Sequence, residues 1–229
     1  MNNHFVQPPE NSYLEGPPRQ VPGYHSLHRM TAILLAEHLP AEGSLLVLGA
    51  GGGLEIKALA QAQSGWSFIG IDPSAGMLEL AADTVANYQD RVRLHQGYIE
   101  DAPQGPFDGA ICLLTFHFIP REMRLETLQQ IQRRLKPKAP LIIAHHSFPQ
   151  TEPERTLWIS RHLAFSHSPP AQAEAAQAAM KTKLSILAPE EEEVLLKQAG
   201  FCQISLFYAA FSFKGWVAYA DGSVASCNT

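Results

Sequence analysis

The last two apolar runs of the chain, CQISLFYAA and FSFKGWVAYA, follow one another with almost nothing between them. A parallel crossover needs a dozen residues or more, so two strands joined this tightly must pair antiparallel. Upstream the pattern is different. SLLVLG, WSFIGID, VRLHQG, GAICLLT and PLIIAHH are short apolar runs, and helical periodicity fills 53–63, 74–88 and 121–135. Runs of this length alternating with helices describe a parallel sheet covered on both faces. The spacing therefore predicts an α/β chain whose mostly parallel, seven-stranded sheet ends in an antiparallel C-terminal hairpin.

Flanking this region, residues 1–22 hold five prolines and read as an extended N-terminal arm. YHSLHRMTAILLAEHL then spaces Leu27, Met30, Ile33, Leu34 and Leu35 for a helix that Pro40 closes. After Pro149, residues 152–183 look wholly helical, with Trp158, His162 and His167 exposed. A cap of about 150–185 could shape a ligand site or simply pack. In APEEEEVLLKQAGF, Pro189 begins a helix, the glutamates read as solvated charges at its positive end, and Gly200 stops it. Residues 221–229 read as a flexible tail. Cys112, Cys202 and Cys227 form no CxxC pair, so neither a disulfide framework nor a zinc site is expected. A net charge of −5 argues against a nucleic-acid partner. No apolar stretch approaches ~18 residues and no signal pattern opens the chain, so no membrane partner and a cytoplasmic location are expected.

In an open parallel sheet, ligands bind beyond the carboxyl ends of the strands where strand order reverses. LLVLGAGGG puts Gly49, Gly51 and Gly53 after the first strand, where glycine lets the backbone approach a ligand without a Cβ. Such a turn can equally serve close packing. FIGID ends in Asp72, placed to accept hydrogen bonds from two ribose hydroxyls; the alternative, a helix cap, is better filled by Ser74. A dinucleotide pattern GxGxxG fails at Leu54 and at Ile56. GxGxG fits, and suits a nucleoside without pyrophosphate whose amino-acid moiety crosses the loop.

With LLVLGAGGG, FIGIDPSAGML, QGYIEDAP, FDGAICLLTFHFI and LQQIQRRLKPKAPLIIAHHS in order, residues 23–220 resemble the class I S-adenosylmethionine-dependent methyltransferases. The resemblance implies a Rossmann-like three-layer α/β/α sandwich, S-adenosylmethionine as cofactor and S-adenosylhomocysteine as product. It implies cofactor contacts from Gly49, Ala50, Gly51, Gly53, Asp72, Pro73, Met77, Ile99, Glu100, Leu114 and Thr115. Tyr24 and Arg29 would reach the cofactor's carboxylate, or else lie on the surface of a core helix. Two positions depart from the pattern. Val47 stands where an acid usually helps bind the methionine ammonium, and Tyr98 stands where the adenine loop often has aspartate, leaving Glu100 or Asp101 for the adenine amino group. VPGY, LLTFHFI and LFYAAFSFKGWVA also resemble the bacterial carboxy-S-adenosylmethionine synthases of tRNA wobble-uridine modification. Those enzymes hold an extra carboxylate with an arginine in the helical region after the fifth strand, and this chain has no arginine after Arg161.

The implied reaction is in-line displacement of the activated methyl, which asks mainly for alignment and removal of water. His117, His146 and Tyr24 are the catalytic candidates; of His145 and His146, strand alternation turns only one toward a pocket. No metal is expected, because histidines rather than carboxylates end the fifth strand. Tyr13, Tyr24, Phe116, Phe118, Trp158, Phe165 and Phe211 suggest an apolar wall for a small-molecule acceptor. A homodimer follows from likeness alone. A non-catalytic binding protein with a degraded cofactor site is the remaining alternative.

Overall fold

The computed structural model describes residues 10–167 and 170–221. Its strands are β1 (Ser44–Leu48), β2 (Ser67–Asp72), β3 (Val92–Gln96), β4 (Gly109–Leu113), β5 (Pro140–His146), β6 (Phe201–Ala210) and β7 (Phe213–Ala220). They form one seven-stranded sheet in the order 3-2-1-4-5-7-6. The first five run parallel, and β7 lies antiparallel between β5 and β6. The expected fold class is the observed one. Order reverses between β1 and β4, so the loops leaving these two strands diverge and open a crevice.

Alternating residues send each strand's side chains to opposite layers. Leu45, Val47, Ile111 and Ala144 meet Leu27 and Leu35 of α2 (Tyr24–Ala36) and Ile56 and Leu59 of α3 (Leu54–Ala62). On the other face Leu46, Cys112, Ile143 and Trp216 meet Leu128 and Ile131 of α5 (Arg121–Arg133) and Leu196 of α8 (Pro189–Gln198). Between β2 and β3 lies α4 (Ala75–Thr84), capped by Ser74, whose hydroxyl accepts from the Met77 N–H. The cap carries α6 (Glu154–Phe165) and α7 (Pro170–Lys183), with a core of its own around Phe148, Ile159, Met180 and Ile186.

Three expectations need correction. The arm is not extended where it is described: α1 (Glu10–Gln20) is helical, although Pro17 and Pro18 in its C-terminal half lack the N–H groups that would bond back along the helix. Residues 1–9, the tail 222–229 with Cys227, and the Tyr13 side chain lie outside the described residues. His162 is buried, because it packs on β5 and β7 rather than facing water. The glutamate run is not wholly solvated: Glu192 is buried, ion-paired with the fully buried Arg124, and stands 3.7 Å from His145 Nε2. Arg134, just past the end of α5, is likewise buried and donates to carbonyls.

Candidate active site

Loop 49–53 turns sharply out of β1, with Gly49, Gly51 and Gly53 all at positive φ (74°, 47° and 78°). The N–H groups of Gly49 and Ala50 both donate to the Ile71 carbonyl, at 2.8 and 3.0 Å, which ties the loop to β2. A Cβ on Gly49 would lie 2.2 Å from Thr115 Oγ1, and one on Gly53 would lie 3.1 Å from Ala81 Cα. Close packing therefore accounts for those two glycines, and the loop is buried. Gly51 serves differently. Its N–H donates to Asp72 Oδ2 at 2.9 Å, while the Ser74 N–H donates to Oδ1, also at 2.9 Å. Partial burial raises the Asp72 pKa, and these two hydrogen bonds oppose the rise.

Across the crevice, β4 is followed by Leu114 at φ 58°, a left-handed conformation that costs a branched residue roughly 1–3 kcal/mol. The Leu114 N–H donates to the Ala144 carbonyl at 2.6 Å. Thr115 then bridges the two strand ends, its hydroxyl placed 3.2 Å from the Leu113 carbonyl and 3.3 Å from that of Gly49. Below, the segment after β3 buries Ile99 and exposes Glu100. Asp101 caps this turn by accepting from the Tyr98 N–H at 2.9 Å, which leaves Glu100 the better placed of the two acids to meet a ligand. Gly97 makes room for that cap: a Cβ there would sit 2.4 Å from Asp101 Oδ2. Arg134 holds the segment from behind through the carbonyls of Glu100, Ala102 and Pro103. Pro73 is exposed and Met77 half-buried at the end of β2.

The histidines gather at the ends of β4 and β5. His146 stacks on Phe213 (4.0 Å between centroids) and meets His117 and His162 at 4.8 and 4.7 Å. His145 points through the other face toward Trp216 and Glu192, as strand alternation requires. The His146 N–H donates to His117 Nδ1 at 3.3 Å. A neutral imidazole has one lone-pair nitrogen, so His117 carries its proton on Nε2 and presents a donor. The accepting nitrogen of His117 is thus already engaged within the protein. His146 Nδ1 is 3.0 Å from the Ser212 hydroxyl. Burial holds both histidines well below the usual imidazole pKa.

Tyr24 is buried at the start of α2, against His28. Arg29 is exposed and lines a groove of about 390 Å³ between α2 and α3, with Ala32, Ala58 and Ala62. That position lies a turn or more along α3 from the glycine loop, which favours the surface alternative for Arg29. One acid absent from the expected set belongs to the site: Glu55, half-buried in the first turn of α3, where burial and then the Asp72 charge push its carboxyl up to about 8. Among the described residues, no three His, Cys, Asp or Glu side chains are grouped to hold a metal, and no helix is long and apolar enough to cross a membrane.

A family model described as a methyltransferase domain matches residues 45–138. The carboxy-S-adenosyl-L-methionine synthase of Actinobacillus pleuropneumoniae serotype 5b (strain L20) is 28% identical over 210 residues, covering 87% of this chain and 86% of that protein. A putative O-methyltransferase from Nostoc punctiforme PCC 73102 superposes with a TM-score of 0.64 at 20% identity, over 85% of this chain and 56% of the other. Human N-acetylserotonin methyltransferase, solved in complex with S-adenosylmethionine, gives 0.58 at 14% identity, over 95% and 61%. This chain thus spans little more than half of these structural neighbours, whose likeness shows the fold. Taken with the glycine loop, the acid ending β2 and the reversed last strand, the matches support a class I S-adenosylmethionine-dependent methyltransferase-like family, with S-adenosylmethionine as the cofactor.

Proposed function

We propose that the protein transfers a methyl group from S-adenosylmethionine to a small-molecule acceptor by in-line displacement. One observation carries this reading: Asp72 ends β2 beside the glycine loop, with each carboxylate oxygen held 2.9 Å from a backbone N–H. Each oxygen keeps a second lone pair, which suits two neighbouring ribose hydroxyls. The loop's turn and Ile99 supply the backbone and apolar surfaces that the remainder of such a ligand needs, so the residues present fit it.

When bound, the cofactor supplies a methyl on a sulfonium, already an excellent leaving group. The chain's own residues then position and dehydrate. Thr115 fixes the two strand ends relative to each other, and the cap with the buried His117, His146 and His162 keeps water from the crevice. His117 offers an Nε2–H that can orient an acceptor's oxygen, and Tyr24 closes the α2 side. Phe118 and Phe211, each nearly half exposed, with Phe165 set 5.6 Å from Phe211, favour an apolar or aromatic acceptor. A cytoplasmic protein without a nucleic-acid or membrane partner, dimeric by likeness, completes the reading.

Calorimetric titration with S-adenosylmethionine tests it. Measurable binding that Asp72→Ala abolishes or weakens at least tenfold supports the ribose assignment; equal affinity in the variant overturns it.

A second reading, synthesis of carboxy-S-adenosylmethionine, is favoured by the curated relatives. Against it, both arginines of α6 are engaged: Arg155 donates to the Lys181 carbonyl at 2.8 Å, and Arg161 lies 4.6 Å over the Trp158 ring. Mass spectrometry of the nucleoside that copurifies separates the two, since the extra carboxyl changes the ligand's mass.

A further inference from the structure

We propose that Glu55 is the acid that pairs with the ammonium of the cofactor's amino-acid moiety, in place of the missing acid at Val47; this rests on the cofactor reading above. Val47 is fully buried in an apolar cluster with Tyr24, Ala50, Ile56 and Leu59, so β1 presents no charge there. The face it occupies is the one covered by α2 and α3. Both helices descend from the ligand edge of the sheet. α3 leaves the top of β1, and α2 ends near the bottom, where Leu39 lies against Gly109 at the start of β4. Their first turns therefore stand side by side next to the glycine loop.

Ala58 and Ala62 on α3 line the groove shared with Arg29 and Ala32 of α2. Residues three and seven positions apart share a helix flank, so Glu55 lies on that same flank, one turn nearer the loop. It sits on the side of the sheet from which an acid at position 47 would have projected. Around it stand Asp72 from β2, which repels it, the neutral buried thiol of Cys112 from β4, and His25, His28 and Arg29 further along the groove, of which His28 is held neutral by burial. An acid crowded by burial and a second carboxylate gains most from a cation, and an ammonium is the cation the ligand carries.

The test compares two ligands that differ in the amino-acid moiety. S-adenosylhomocysteine carries the ammonium, and 5′-methylthioadenosine lacks it. For Glu55→Gln, calorimetry is expected to show affinity for the first falling about 10–100-fold, the range for a hydrogen bond to a charged group. Affinity for the second stays within about twofold, and the melting temperature of the free protein is not lowered. Glu55→Asp, which keeps the charge on a shorter arm, loses less, and again only with the first ligand. Equal losses for both ligands, or no loss for either, overturn the role. If the unaltered protein binds neither compound, the cofactor reading itself fails and this inference falls with it.

Discussion

Replacing Glu192 by alanine would leave the Arg124 guanidinium inside the protein without its counter-charge. Arg124 and Glu192 expose 0% and 3% of their side chains, and the pair joins α5 to α8. The guanidinium also donates to the Ile119 carbonyl at 3.2 Å and to that of Ser185, where the chain leaves the cap. Breaking a buried pair by removing one partner costs about 3–5 kcal/mol. For a chain of this size each kcal/mol moves the melting temperature by about 2–4 °C, so a fall of roughly 6–20 °C is expected. Arg121→Ala is the control, because it breaks a pair of 2.5 Å that is 65% and 36% exposed. That change is expected to cost no more than about 1 kcal/mol. Glu192→Gln keeps an acceptor for Arg124 and should fall between the two. Differential scanning calorimetry at pH 7.5 measures all three. If Glu192→Ala melts within about 2 °C of the unaltered protein, the ion pair does not hold α5 and α8 together and the reasoning is wrong.

Three further outcomes are expected. Gly49→Ala should cost about 1–3 kcal/mol and weaken cofactor binding, since its Cβ meets Thr115 and its φ is +74°; binding isotherms and thermal melts check both. Arg134→Ala should lower both stability and cofactor affinity by releasing the segment around Ile99, and hydrogen exchange should show protection lost at 99–103 first. The pH profile of stability should peak near pH 6–7. His28, His117, His145, His146 and His162 are all held below the usual imidazole pKa by burial, so the unfolded chain takes up protons that the folded one refuses and stability falls below about pH 6.5. Glu55 and Glu192, raised by burial to about 8 and about 7, act in the opposite sense: the folded chain retains protons, and stability falls as pH rises from about 4.5 toward 8. Melts from pH 5 to 9 decide it; a maximum at pH 5 would contradict the histidine contribution.

The sheet was legible because its signals are local. Each strand is a short apolar run, and the tight connection between Ala210 and Phe213 leaves β7 only an antiparallel partner. Asp72 was legible too: it ends a strand, and its bond to Gly51 spans 21 residues along one βαβ unit. What stayed hidden depends on distant partners. Glu192 sits in a run of glutamates at a helix start, and only Arg124, 68 positions away, gives it a reason to be inside. Nothing local marks Arg134 as buried, because the carbonyls it serves lie more than thirty residues upstream. Glu55 is an ordinary letter in LEIKALA until the flank of α3 that faces α2 is known. The prolines of α1 pointed away from a helix, since each removes a backbone donor, yet the segment is helical through Gln20.

The Tyr208 hydroxyl of β6 donates to the Pro22 carbonyl just ahead of α2, a bond spanning 186 positions, and β7 wedges between β5 and β6. The entry to the second helix is therefore latched by a segment that leaves the ribosome long after the helix itself. Until then the outer edge of β5 has no neighbour, and the α2 entry has no clasp. Nascent chains stalled before residue 201 should stay sensitive to protease at both places, whereas emergence of β6 and β7 should close both in one step.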